Sequence, residues 1–394
     1  MTFKRTFMPH NFDQLFDRRA AGSIKWKFYP EDVLPMWVAD MDFQSPRAVI
    51  DALCEKVEHG IFGYELPSEE LINTVCERMK RLYNWDVAPQ HVIAVPGLVS
   101  GINIVCRSLA GVDNGVLMLT PVYPPFLSAP KNNQQVAQQV PLTLVTTGST
   151  FHYDIDYEAF EAAIAPQTKL FLLCHPHNPI GQIWDRDQLT RLAELCLRHN
   201  VIICSDEIHA ELTLAGNQHI PLATISPEVA AQTITLIAPS KTFNIAGPGC
   251  AFAIVSNPDL QQQMRVASAD IVPHNNALGM AAALAAYRDD PEVNEWHAEL
   301  LQYLTTNRDT LIDFVTTHLP TIKTTVPQAT YPGWLDCRET GIEDPHEYFL
   351  SKAKVGFNDG YTFGENGKGF VRINFGCPRS ILLEGLERMK AALA

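Results

Sequence analysis

The stretch Thr235-Leu-Ile-Ala-Pro-Ser-Lys-Thr-Phe-Asn-Ile-Ala-Gly247 runs from an apolar segment straight into a lysine. Ile234 to Ala238 has the length and character of a buried strand, so Lys241 stands in a Ser-Lys-Thr turn where that strand ends. Lysine is costly to bury and is rarely put in such a place without a covalent or ionic partner. Taken alone, the stretch also fits a lysine on an exposed loop.

Outward from it, the same arrangement recurs. Val92 to Val95 leads into Pro96-Gly97 and a helical stretch ending near Ala110-Gly111; Val116 to Leu119 leads into Thr-Pro-Val-Tyr-Pro-Pro125. Leu170 to Cys174 precedes His-Pro-His-Asn-Pro-Ile-Gly181, and Val201 to Cys204 precedes Ser205-Asp-Glu-Ile-His-Ala-Glu-Leu212. Asp185 with Gln188 three residues later has the form of a capping box. It opens a helix that carries Leu189, Leu192, Leu195 and Cys196 on one side. Continuous apolar strands separated by helices indicate an α/β fold with a mostly parallel sheet covered on both faces. Such sheets bind ligands beyond the carboxyl ends of their strands, where every chemically notable residue of this chain falls.

At 394 residues the chain exceeds what one hydrophobic core usually supports. From about Pro291 a long helix, Glu295 to Leu319, precedes an α+β segment with strands near Thr330 to Asp336 and Gly369 to Phe375. The expectation is a large ligand-binding domain over residues 46–290 and a smaller α+β domain built from residues 1–45 and 291–394.

A formal charge of −14 argues against non-specific nucleic-acid binding, which needs clustered Lys and Arg. The nine cysteines form no Cys-x-x-Cys pair and several lie inside apolar runs, which fits a reducing, cytoplasmic setting without disulfides or a thiolate metal site. The N-terminus lacks the apolar core of a signal peptide, and the longest apolar stretches, such as Gly279 to Tyr287, are far too short to span a membrane.

A desolvated amine loses basicity and becomes a nucleophile towards an aldehyde, which is how enzymes hold pyridoxal phosphate as a Schiff base. Asp206, at a buried strand end, needs a cationic partner, and a pyridinium nitrogen is one; a helix N-cap or a Mg²⁺ ligand is the plainer reading. A zinc site from His175, His177, Glu207 and His209 lacks the helical His-Glu-x-x-His spacing, so no metal is expected. Asn178, in an Asn-Pro turn, has an amide that can donate to a ring oxygen. Tyr123 offers a flat face to a pyridine ring, or simply packs in the core. Gly97, Leu98 and Val99 open a helix whose free N–H groups can hold a phosphate, and the hydroxyls of Ser240 and Thr242 can add to it. Arg372, in Phe-Val-Arg-Ile-Asn-Phe-Gly376, suits two-pronged capture of a carboxylate, although a surface arginine on an edge strand would read the same.

Asn178-Pro, Asp206 28 residues on, Lys241 35 further and Arg372 131 after that form an ordered set. In this the chain resembles the fold type I pyridoxal-phosphate enzymes of the aminotransferase class I/II family over nearly its whole length. The stretches Pro35-Met-Trp-Val-Ala-Asp-Met-Asp-Phe43, Phe62-Gly-Tyr64, His175-Pro-His-Asn-Pro-Ile-Gly181, Ser205-Asp-Glu-Ile-His209 and Ser240-Lys-Thr-Phe-Asn-Ile-Ala-Gly247 narrow the resemblance to the MalY/PatB cystathionine β-lyase subgroup. The resemblance implies pyridoxal 5'-phosphate as cofactor, Lys241 as the catalytic lysine, and cleavage of cystathionine or related S-substituted cysteines to thiol, pyruvate and ammonia. It also implies a homodimer with shared sites, in which Tyr64 reaches the neighbour's phosphate. Trp37 and Tyr64 would flank the amino-acid side chain, and Arg372 would grip its carboxylate. Gly249 stands where aminotransferases carry a phosphate-binding arginine, and His209 where many carry tyrosine. Both departures resemble the lyase subgroup. Transamination uses the same residues. A regulatory role with a protein partner is a further alternative, since the subgroup includes a modulator of a maltose-system activator.

Overall fold

The computed structural model describes residues 10–109 and 111–394. Its centre is a seven-stranded sheet in the order Val92–Val95, Ala251–Ile254, Thr233–Ile237, Ile202–Asp206, Thr168–Cys174, Gly115–Thr120, Val136–Pro141. Ala251–Ile254 runs antiparallel to both neighbours, and every other pairing is parallel. The sheet is mostly parallel because helices return the chain over its two faces. Alternation along the strands shows this directly. Val116, Met118, Leu170, Leu172 and Cys204 pack on one face with Ile102 and Val105 of the helix Leu98–Ser108. Leu117, Leu119, Phe171, Leu173 and Ile203 pack on the other with Leu189, Leu192 and Leu195 of the helix Arg186–Arg198. With both faces covered, Gly115–Thr120 and Thr233–Ile237 are buried at every position.

The helix Arg186–Arg198 starts on the capping box read from the sequence. The Asp185 carboxylate accepts from the Gln188 amide at 2.8 Å, and the Gln188 side chain accepts from the Asp185 amide at 3.0 Å.

A second sheet of six strands has the order Asn358–Asp359, Phe370–Asn374, Pro332–Asp336, Lys323–Thr325, Thr150–Asp154, Thr143–Thr147. Its last two strands come from the middle of the chain, so this sheet draws on segments from both sides of residue 290. The 28-residue helix Pro291–His318, four residues longer at its start than the sequence pattern indicates, packs its apolar side against this sheet and the first helices of the chain. The N-terminal segment joins in through Leu34–Pro35, which pairs in parallel with Val355–Gly356. Among the described residues no helix is long and apolar enough to cross a membrane. All nine cysteines are free; Cys54 is exposed, Cys76 half-buried and the other seven buried.

Candidate active site

The strands Thr168–Cys174, Ile202–Asp206 and Thr233–Ile237 end side by side, with Cys174 opposite Asp206 in register. Their carboxyl ends and the first turn of Leu98–Ser108 surround a cavity of about 240 Å³. Gly97, Leu98, Val99, Tyr123, Asn178, Asp206, His209, Ser240 and Lys241 all line it. The fold brings them together because each follows a strand that ends on the same edge of the sheet. Arg372 joins this set through Asn178. Thr242 is turned away into a separate small space beside Tyr83.

Lys241 donates from Nζ to the carbonyl of Ala39 at 2.5 Å. Burial brings its amine down to about 8, and the Arg372 guanidinium adds to the effect; Asp40 and Asp206 pull the other way. Burial also pushes the Asp206 carboxyl up to about 7, and the charge of Glu207 adds to the rise, against the Ile208 amide and Lys241. One Asp206 oxygen accepts from the Ile208 amide at 3.1 Å. Among the described residues Asp206 has no ion-paired cation and the Lys241 amine is held only by a carbonyl, so both are poised for a partner. His209 is held down to about 3 by burial and by the two nearby cations, and its buried Nδ1 has no partner among the described residues. Its imidazole is therefore neutral.

Arg372 lies on the Phe370–Asn374 strand, inside the six-stranded sheet rather than at its edge. It is 3% exposed. Its guanidinium donates to three neutral oxygens: Nη1 to Asn178 Oδ1 at 3.0 Å, and Nη2 to the Trp37 carbonyl at 3.1 Å and Asn358 Oδ1 at 2.6 Å. Burial lowers its pKa only to about 10, so it keeps its charge at neutral pH. A buried cation paired only with carbonyl oxygens is a ready anion site. Because Asn178 commits its oxygen to Arg372, its amide nitrogen remains available as a donor.

At the other end of the cavity, Leu98, Val99 and Ser100 supply the first, unpaired N–H groups of a helix, beside the Ser240 hydroxyl. Gly249 lines the same end with φ +67°, in the left-handed region, and a Cβ there would meet the Pro96 carbonyl oxygen at 3.1 Å. An arginine at this position would be strained, so the local backbone agrees with the loss of that side chain.

Two of the expected residues, Trp37 and Tyr64, stand outside the cavity of their own chain. The Trp37 ring turns towards the N-terminal segment, with Nε1 donating to the Lys25 carbonyl at 3.0 Å; what reaches Arg372 is its main-chain oxygen. Tyr64 is 97% exposed and does not line the cavity of its own chain. Three of the four residues weighed as zinc ligands are engaged separately. His175 bonds to the Ile220 carbonyl, His177 to the Pro121 carbonyl, and Glu207 to His219, Ser205 and the Leu222 amide.

Some contributors carry no readable signal in the sequence. Ala39 acts through its carbonyl, which takes both Lys241 and the Tyr331 hydroxyl, and a main-chain contribution has no residue signature. Asn358 meets Arg372 through cross-strand register. Cys174 resembles one more small apolar residue of its strand, yet its side chain lines the cavity.

The sheet order, the strand-end lysine and aspartate and the caged arginine together define a fold type I α/β enzyme scaffold. The family model for aminotransferase class I and II matches residues 31–389, and the chain belongs to that family, in its MalY/PatB branch. Cystathionine beta-lyase PatB of Bacillus subtilis is 38% identical, with 98% of this chain and 100% of that protein covered. Protein MalY of Escherichia coli is 31% identical over 97% of this chain and 98% of its own. Among solved structures, cystalysin from Treponema denticola, which contains pyridoxal 5'-phosphate, superposes with a TM-score of 0.93 at 32% identity, covering 98% of this chain and 99% of that one.

Proposed function

We propose that this chain is a pyridoxal-phosphate-dependent carbon–sulfur β-lyase that cleaves cystathionine or a related S-substituted cysteine to a thiol, pyruvate and ammonia. The observation that carries it is the meeting, in one cavity, of a buried amine of lowered basicity and a buried acid of raised pKa, Lys241 and Asp206. The names of the relatives, a cystathionine β-lyase among them, support lyase chemistry over transamination.

The residues present fit the cofactor. Lys241 would hold it through Nζ, Asp206 would face its ring nitrogen, and the Asn178 amide would donate to its ring oxygen. The N–H groups of residues 98–100 and the Ser240 hydroxyl would take its phosphate. When bound, the cofactor supplies an electron sink for the charge left at the substrate's Cα. Arg372 captures the substrate carboxylate and so fixes the position of Cα. The Lys241 amine, with its pKa near 8, takes the Cα proton at neutral to mildly alkaline pH. The Cβ–S bond breaks with the electron pair going to sulfur, which leaves as a thiolate. The remaining three-carbon fragment takes up water to give pyruvate and ammonia. His209, with its pKa held near 3, is too weak a base to compete with Lys241 for the proton.

Exposed Ile61, Phe62, Tyr64 and Leu66 support a homodimer. Glu65 and Leu66 also rim a groove of about 740 Å³ along the edge strand Val92–Val95, and Pro96 lines both this groove and the cavity. A second copy seated there would bring its own Tyr64 towards the phosphate end.

Lys241→Ala is the test. The variant should release no pyruvate from cystathionine in the absence of a keto acid, while the parent protein does. Pyruvate at the parental rate from the variant rejects the role of Lys241. A parent protein that turns over only when a keto acid is added is a transaminase instead.

A further inference from the structure

We infer that Asn358 is a latch on Arg372, and that an incoming substrate carboxylate must displace its side chain before the arginine can grip with two prongs. This rests on Arg372 being the carboxylate site. A guanidinium has two edges that can hold both oxygens of a carboxylate: Nε with Nη2, and Nη2 with Nη1. Both edges use an Nη2 proton. In this structure Nη2, with its two protons, already donates to two acceptors, the Trp37 carbonyl and Asn358 Oδ1. The protons left over are on Nε, which is buried without a partner among the described residues, and one on Nη1. Those two lie on different edges and cannot meet one carboxylate. Two-pronged capture therefore requires one of the Nη2 acceptors to leave.

The two acceptors differ in how far they can move. The backbone around Trp37 is tied on both sides: the Met36 amide donates to the Gly356 carbonyl at 2.8 Å, and Asn374 Nδ2 donates to the carbonyls of Val38 at 2.6 Å and Asp40 at 2.7 Å. Asn358 offers a half-buried side chain on a two-residue strand at the end of its sheet, directly across from Arg372. Rotating one amide breaks one hydrogen bond, whereas moving the Trp37 carbonyl disturbs several. Asn358 is the acceptor that yields. It keeps Nη2 of the buried guanidinium satisfied and aimed while no substrate is present, and it competes with the carboxylate for that nitrogen's protons.

The competition gives opposite signs for two substitutions, which a purely structural asparagine would not. The probe is propionate, a carboxylate without an amine, measured as a competitive inhibitor of cystathionine cleavage by the holoenzyme. Asn358→Ala removes the competitor, and the inhibition constant should fall by about three- to tenfold, the effect of one hydrogen bond. Asn358→Asp keeps the shape but adds a charged competitor, and the constant should rise by at least about tenfold. A rise in Asn358→Ala, or no change in both variants, overturns the latch. Arg372→Lys separates this from the underlying reading: an unchanged constant there means that the carboxylate does not sit at Arg372, and both inferences fall.

Discussion

Asp206 and Lys241 titrate far from their ordinary values for the same reason, burial, and in opposite directions. An aspartate in an unfolded chain releases its proton near pH 4, whereas Asp206 in the folded chain holds it to about pH 7. Between those values the folded state binds the extra proton, so this group's contribution to stability is fully present below about pH 4 and is lost as the pH rises to about 7. In cofactor-free protein, Asp206→Asn should therefore gain in thermal midpoint relative to the parent as the pH is taken from 5 to 7. An unchanging difference over that range would mean that Asp206 titrates normally. Lys241 does not interfere, because its contribution changes only above about pH 8, where stability rises as the unfolded lysine alone stays protonated. At this scale Lys241, Asp206 and Asn178 are legible in the sequence because each stands where an apolar run stops, and burial there demands a partner for any polar group. Asn358 is not legible, because nothing in a chain's order says which residue will lie opposite Arg372. The direction of the Trp37 ring is hidden for a similar reason: a main-chain oxygen and a ring belong to the same letter.

Among the elements, those with an unbroken apolar signature are readable and those with a mixed one are not. Thr168–Cys174 and Thr233–Ile237 are buried along nearly their whole length, and their sequences show it. Val136–Pro141 and the hairpin Thr143–Thr147 with Thr150–Asp154 carry no such run. Val136–Pro141 is an edge strand rich in glutamine, and the hairpin strand Thr143–Thr147 is threonine-rich and half exposed. Edge strands meet water on one side and do not need the apolar runs that mark central ones. Ala251–Ile254 is only four residues long and enters the sheet antiparallel, so no strand–helix alternation announces it. The helix start at Asp185 is legible because the capping box is a local pattern. Its carboxylate is exposed and lies outside the residues that line the cavity, so Asp185→Ala should lower the unfolding free energy by about 1 kcal/mol and leave the turnover number unchanged. Denaturant unfolding beside a pyruvate assay checks both halves; a fall in turnover without loss of stability would contradict it.

For the whole molecule, the proposed shared-site homodimer makes a prediction that a monomer cannot meet. Lys241→Ala and Tyr64→Ala chains should each be impaired alone, the first completely. Dissociated and reassembled as an equal mixture, they should regain about a quarter of parental activity, because half the dimers are hybrids and each hybrid rebuilds one intact site. Activity no greater than the average of the two variants measured separately would place Tyr64 outside its neighbour's site. The distribution of sulfur across the molecule has a further consequence for a protein that makes thiols. Product thiols, and the disulfides they become in air, exchange with accessible thiolates. Here Cys54 alone is exposed, and burial raises the pKa of Cys106, Cys174, Cys196, Cys204, Cys250, Cys337 and Cys377, keeping them as unreactive thiols. These seven thiols are thereby shielded from mixed-disulfide capture by what the enzyme releases, and the cavity-lining Cys174 and Cys250 can sit beside the reaction without being consumed by it.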